Sequence, residues 1–257
     1  EHRLSSPMIV LNASFTYRHR QRYPCYDAFV RNAKSRPNRS FVGVSFHISA
    51  FMPRYGRIHS PDNIHWVVME RTYPSVPQVV APYVAFSMPL NPLPWSKRSL
   101  VFMAGHVPKM KFSTVRRNAI NFLKTVPNAT VVEPPARLSL RDYIRAVESH
   151  KFCVVAPGDT HSTHKLAETI TLGALGGCVP LLLSSLTKPY SSILNYNDFS
   201  IYDRGLDARV ISRLRNISHK TYKRLTTHLA NAKPFFSQPD AGFALLDHMT
   251  VVSTKAF

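Results

Sequence analysis

Just beyond the loop Pro157-Gly158-Asp159-Thr160-His161-Ser162-Thr163 the chain carries Lys165 and, three residues on, Glu168. Backbone N–H groups from Gly158 to Thr163, together with the opening turn of a following helix, present partial positive charge, and Lys165 adds a full one. Such a place suits an anion such as a pyrophosphate. Glu168 falls on the same side of that helix, where a carboxylate can accept hydrogen bonds from a sugar diol, as the acidic residue of dinucleotide sites does from ribose. The same spacing also describes an exposed ion pair beside glycines that only permit turns, and spacing alone does not separate the two.

The elements that must position these groups are written in the hydrophobic pattern. Phe152 to Ala156 is a short apolar run closed by Pro157-Gly158, the pattern of a buried strand ending in a turn. From Thr163 onward Leu166, Ile170 and Ala174 recur four apart, which predicts a helix that Leu172-Gly173 closes. Gly176-Gly177 breaks the chain, and Val179 to Leu183 begins a second buried strand. Upstream, Leu100 to Ala104 is a strand ending at Gly105. Ser113 is the expected cap of a helix with Val115, Ala119, Phe122 and Leu123 on one face. Thr130 to Val132 is a strand, and Ser139 caps a helix with Leu140, Tyr143, Ile144 and Val147 facing inward. Downstream come a strand from Phe199 to Tyr202 and helices over Asp207 to Ile217 and Ser218 to Ala230, with Asp240 to Thr250 as a last helix. Strands alternating with helices at this spacing predict an α/β fold built on a parallel, doubly wound sheet.

The residues of the loop and its flanks resemble the donor site of the exostosin-like glycosyltransferases, glycosyltransferase family 47. Phe152-Cys153, the pair Pro157-Gly158, Ser162/Thr163, Lys165-Leu166-x-Glu168 and Gly177-Cys178-Val179-Pro180 carry the likeness. Leu194 to Tyr202 is similar to that family's aromatic-rich turn and strand, and Val79 to Tyr83 and Arg98 to Gly105 to its segments leading into the donor domain. The likeness runs from about Phe41 to Tyr202 and is most specific between Cys153 and Pro180. Lys165 stands where the family usually has Arg, which keeps the charge and gives up bidentate geometry. The resemblance implies a GT-B-like pair of lobes: a Rossmann-like donor domain preceded by an incomplete first, acceptor-side lobe, with a C-terminal helix packing back towards the first lobe. It implies a nucleotide-sugar donor, a uridine diphosphate sugar, and a glycan or glycoprotein acceptor. Donor-binding residues would be Gly105, Arg116, Arg117, Pro157, Gly158, Ser162, Thr163, Lys165 and Glu168. No Asp-x-Asp occurs in the chain, so no metal and no cofactor is expected, the basic residues meeting the charge of the leaving diphosphate.

Composition frames this reading. At 257 residues and 44% hydrophobic, the chain can bury a real core. It contains no run of eighteen apolar residues to span a membrane. It opens at Glu1 without a signal-peptide core and reads as a piece of a longer protein of the Golgi lumen. A net charge of +19 calls for anionic partners: the diphosphate, an acidic glycan, a lipid surface or nucleic acid. Of three cysteines, Cys153 and Cys178 sit at strand positions, where a small buried hydrophobe is the expected role and a disulfide between them the alternative. Asn-x-Ser/Thr occurs at Asn12, Asn38, Asn128 and Asn216 and leans towards a secretory lumen. His161 and His164 flank the loop without metal-ligand spacing and are read as contacts to phosphate or solvent.

Towards the amino end, Met8 to Ala13, Phe41 to Phe46 and Ile64 to Met69 read as strands, and Tyr26 to Ala33 as a short helix. The basic clusters Arg18 to Arg22 and Lys34 to Arg39 lie among tyrosines and could hold single-stranded nucleic acid or an acidic glycan, or form a solvated face. Pro74, Pro77, Pro82, Pro89, Pro92 and Pro94 read as a stiff connection between lobes. The division expected is thus 1–94 for the partial first lobe with its connection, 95–232 for the donor domain and 233–257 for the C-terminal helix. An inverting transfer also needs a base for the acceptor hydroxyl, for which the first lobe offers Asp27, Asp62 and Glu70. The rival reading is a catalytically degenerate, basic domain that binds nucleic acid or another polyanion in an assembly.

Overall fold

The computed structural model describes residues 10–12, 31–38, 41–45, 63–68, 78–80, 83–85, 87–105, 107, 113–158, 161–184 and 186–237. The chain divides into two compact units, Glu1–Ala81 and Pro82–Phe257.

In the first unit β1 (Val10–Asn12), β2 (Phe41–Ser45), β3 (Ile64–Val68) and β4 (Gln78–Val80) form a parallel sheet in chain order. Phe41 pairs with Ile64 and Ser45 with Val68, so two runs read separately in the sequence become neighbours. Val67 and Val68 are buried, as is Ala33 in the helical turn at 31–34. Asn63 ties that turn to the start of β3, its side-chain amide donating to the carbonyls of Ala33 (3.0 Å) and Arg36 (3.1 Å).

The second unit is an α/β layer structure. Its strands are β5 (Ser99–Ala104), β6 (Ala129–Val132), β7 (His150–Val155), β8 (Val179–Leu183) and β9 (Ile201–Asp203), all parallel in the order β6-β5-β7-β8-β9. They alternate with α1 (Ser113–Leu123), α2 (Leu140–Ser149), α3 (His164–Ala174), the short α4 (Tyr196–Phe199), α5 (Ala208–Arg215) and α6 (His219–Ala232). Counted from β5 the order is 2-1-3-4-5, a doubly wound arrangement. The chain leaves β5 to one side and returns on the other, so the carboxyl ends of β5 and β7 form a switch point, where such sheets bind ligands.

Burial explains why the apolar runs are continuous rather than alternating. Every residue of β8 is buried, and Phe152 and Val155 of β7 are fully enclosed, as a parallel sheet covered on both faces requires. Helix α3 buries Leu166, Ala167, Ile170, Leu172 and Gly173 while packing against β7, β8 and α6. Gly173 is needed for that approach: a methyl group there would stand 2.7 Å from the Cys178 carbonyl and 2.9 Å from Leu229 Cδ1. Three side chains cap helix starts, Ser139 among them as expected. Ser139 Oγ accepts from Asp142 N (3.1 Å), Asp207 Oδ1 from Val210 N (2.9 Å) and Ser218 Oγ from Thr221 N (3.1 Å).

Four expectations change. Ser113 is itself the first residue of α1 rather than the residue ahead of it. Leu140, at the very start of α2, is 61% exposed; the packing face begins a turn later, with Tyr143, Ile144 and Val147 against the β5–β7 side of the sheet. Cys153 and Cys178 are buried, as small hydrophobes would be, and they are also bonded to each other with Cα atoms 5.5 Å apart. Pairing β7 with β8, Cys153 opposite Pro180, is what brings them together.

The proline segment is the fourth. The division between units falls at 81/82, ahead of Trp95, because residues 91–98 are fastened to the amino end of the second sheet. Asn91 N donates to Glu148 Oε1 (2.6 Å) and Leu93 N to the Glu148 carbonyl (3.2 Å). Arg98 donates to the carbonyls of Leu93 (2.7 Å) and Gly176 (2.9 Å) and to Tyr222 Oη (2.5 Å). Trp95 packs on Tyr222, ring centroids 4.4 Å apart, and edge-on to Phe152. The expected helix over 240–250 and the basic cluster at 18–22 lie outside the described residues.

Candidate functional site

At the carboxyl end of β7 the chain turns through Pro157 and Gly158, both buried, and enters α3 at Thr163. Thr163 is the extended residue before the helix, its Oγ1 accepting from Lys165 N at 3.4 Å, and Ser162 and Thr163 are half-buried. The next loop lies alongside, Thr187 N donating to the His161 carbonyl (2.8 Å).

Across the switch point, α1 sends Arg116 over the ends of both central strands. Its Nη2 donates to the Ala156 carbonyl at 3.1 Å. The two glycines that close β5 and β7 leave it space: a Cβ on Gly158 would lie 2.9 Å from Nη2, and one on Gly105 would lie 3.9 Å from Nη1. This sets a measurable contrast. Gly158→Ala is expected to push the guanidinium off Ala156 and cost about 1.5 kcal/mol, the size of one hydrogen bond from a charged donor. Gly105→Ala is expected to cost little, and equal losses in urea denaturation would refute this account of the glycines. Arg117, the neighbouring basic residue, is exposed.

Lys165 and Glu168 meet, and they do not meet alone. Lys165 Nζ donates to Glu168 Oε2 at 2.6 Å while His164 Nδ1 donates to Oε1 at 2.8 Å. Tyr143, from α2, lies close enough to the carboxylate to influence its ionisation, and Lys165 Nζ stands 3.9 Å from the centre of the Tyr143 ring. The Tyr83 ring lies 5.4 Å from that of His164. The side chains of Lys165 and Glu168 are 36% and 24% exposed, so the pair is half-sheltered rather than solvated. Burial pushes the Glu168 carboxyl up, but the His164 hydrogen bond, the Lys165 charge and hydrogen bond and the Tyr143 hydroxyl outweigh it and hold the group down at about 2. Burial, and then the Glu168 charge and hydrogen bond, raise Tyr143 well above the usual tyrosine range. A carboxylate held so low is a fixed acceptor for hydroxyl groups and a poor proton acceptor near neutral pH.

The structure therefore brings together Gly105, Gly158 and Arg116 in one group and Lys165 and Glu168 in another, both at the carboxyl ends of the sheet. Asp27, Asp62 and Glu70, the candidate bases, lie outside the described residues. Tyr143 is the site residue that sequence reasoning missed, and His164, read there as a contact to phosphate or solvent, is a partner of Glu168. His164 had a signal, four residues ahead of Glu168 on one helix face; Tyr143, on another helix, had only the helical periodicity that marks core. Among the described residues no group of three or more His, Cys, Asp or Glu is placed to hold a metal ion, and no helix is long and apolar enough to cross a membrane. No protein-family model matches the chain, and no curated protein matches it either. Fold and site define an α/β unit with a parallel sheet flanked by helices and an ion-paired Lys165–Glu168 cluster at the carboxyl end of β7.

Proposed function

We propose that the chain is an exostosin-like glycosyltransferase that moves a sugar from a nucleotide-sugar donor, a uridine diphosphate sugar, to a glycan or glycoprotein acceptor by a metal-independent, inverting route. The observation that carries the reading is the Lys165–Glu168 pair at the start of α3, at the carboxyl end of β7. On this reading the amides of Gly158 to Thr163 and the α3 N-terminus meet the diphosphate with Lys165, aided by Arg116 across the switch point. Glu168, ionised throughout the physiological range, accepts from the ribose hydroxyls, and Tyr143 and His164 hold it in place. The base for the acceptor proton is unassigned, with Asp27, Asp62 and Glu70 as its candidates in this chain, and the first unit is read as the incomplete first lobe of a GT-B-like fold. The Cys153–Cys178 disulfide supports residence in the Golgi lumen, because such bonds persist in oxidising compartments.

Uridine diphosphate is the probe that tests it. At a hundred times its dissociation constant a ligand adds about 2.7 kcal/mol to stability, which for a domain of this size is a melting shift of roughly 5–10 °C. Glu168→Ala and Lys165→Ala should each abolish the shift. Failure of the nucleotide to move the unaltered protein at millimolar concentration would sink the proposal.

One observation favours a second reading. Helix α6 exposes Lys220, Lys223 and Arg224 at helical spacing, after exposed Arg215 in the preceding helix, none of them ion-paired among the described residues. A basic polyanion-binding domain would use that face, and it would show steeply salt-dependent binding to nucleic acid or acidic glycan with no nucleotide effect.

A further inference from the structure

We infer that Asn128 and Asn216 are acceptors for N-linked glycans. Both stand in Asn-x-Ser/Thr triplets, Asn128-Ala129-Thr130 and Asn216-Ile217-Ser218, and both triplets lie wholly within described residues. Each asparagine sits at a chain reversal. Asn128 enters β6 with a φ of 63°, its carbonyl accepting from Leu100 N (2.9 Å) and Val101 N (3.4 Å). Asn216 closes α5, its N–H donating to the carbonyls of Ser212 (3.3 Å) and Arg213 (3.2 Å). The main chain is thus held in place while both side chains are exposed and their amides have no partner among the described residues. A branched glycan on either amide would displace no side chain among the described residues.

The hydroxyl members of the triplets are placed differently. Thr130 Oγ1 lies 2.8 Å from Nε2 of His150, a ring 5% exposed, and Ser218 Oγ caps α6. In the folded chain those hydroxyls are engaged, so the modifying enzyme must read them before β6 and α6 form. That order belongs to a chain entering a lumen as it is made, and the Cys153–Cys178 disulfide is an independent mark of the same oxidising lumen. The co-substrate is an oligosaccharide carried on a lipid diphosphate. The asparagine amide nitrogen attacks the anomeric carbon and a C–N bond forms. The C–O bond to the diphosphate breaks, the diphosphate leaves with the electron pair, and the amide proton passes to a base of the modifying enzyme. Asn216 lies directly before the basic face of α6, so a glycan there would also screen Lys220 and Lys223 from a polyanion.

The inference rests on the luminal residence proposed above and is independent of sugar transfer by this chain. The test directs the 257-residue chain into the secretory pathway of eukaryotic cells with an added leader. The disulfide-bonded protein is purified from medium and microsomes together and treated with a peptide amidase in heavy-oxygen water, which leaves a labelled aspartate wherever a glycan was attached. Labels are expected at positions 128 and 216. Asn128→Gly, which suits the positive φ, and Asn216→Gln should each remove one glycan. Thr130→Ser and Ser218→Thr, which keep both hydroxyl and triplet, should keep it. An unlabelled asparagine at either position overturns the assignment there. Because the leader is supplied, that outcome speaks against the acceptor site itself, and the uridine diphosphate shift, measured on the same protein, reports separately on sugar transfer.

Discussion

Replacing Cys153 and Cys178 together by alanine is expected to lower the stability of the second unit by about 3.5 kcal/mol. The bond closes a loop of sequence separation 25, and in the chain-entropy account a cross-link of that span removes roughly this much freedom from the unfolded ensemble. The two sulfurs are also buried, Cys153 in β7 and Cys178 at the threshold of β8. Their removal therefore loosens the two central strands of the sheet and the end of the α3 hairpin that carries Lys165 and Glu168. For a domain of this size the loss corresponds to a melting temperature lower by roughly 7–14 °C. A thiol reductant should bring the unaltered protein to the level of the double variant and leave the double variant where it is. If the reductant changes nothing in the unaltered protein, the bond contributes no stability and this account fails.

That bond also marks the limit of what the sequence discloses. Strands and helices were legible because their signals are local: the apolar runs at Phe152 and Val179, the hydroxyl or carboxylate just ahead of α2, α5 and α6, and the glycines that end elements. The parallel α/β class followed from their alternation. Adjacency in space is not local. That β7 lies beside β5 on one side and β8 on the other is what makes Cys153 face Cys178, and what puts Arg116 over Gly158. The same holds for Arg98, which fastens the Gly176-Gly177 turn far along the chain. The proline segment shows the converse, because stiffness does not by itself mean separation. Residues 91–98 are stiff and also bonded down, through Glu148 and Arg98. In the site, Lys165 and Glu168 were legible as a pair because one helix holds both. Tyr143 was not: the face that makes it a core residue in the sequence is the face α2 turns towards α3, and only there does its hydroxyl meet a carboxylate.

Glu168→Gln should remove an acid-sensitive contribution of about 3 kcal/mol. The carboxyl goes from an ordinary value of 4.5 to about 2 on folding, and each unit of difference between folded and unfolded states is about 1.4 kcal/mol. The sign follows from proton counting. Between the two values the unfolded chain binds a proton at this group and the folded chain does not, so acid favours unfolding. The stabilisation is complete above pH 4.5 and drains away as pH falls towards 2. Other carboxylates titrate in the same range, so the measurement is a difference: urea denaturation of the unaltered protein and of Glu168→Gln at a series of pH values. The unaltered protein should be the more stable by about 3 kcal/mol at neutral pH, and the gap should close across that window. Tyr143→Phe should narrow the gap at neutral pH by removing a hydroxyl that helps to hold the carboxyl down, the smallest of the lowering effects because His164 and Lys165 remain. A gap that stays constant down to the acid end would mean that Glu168 is held by shape rather than by charge. The cluster would then lack the fixed negative acceptor that a ribose requires, and the basic face of α6 would carry the better account of this protein.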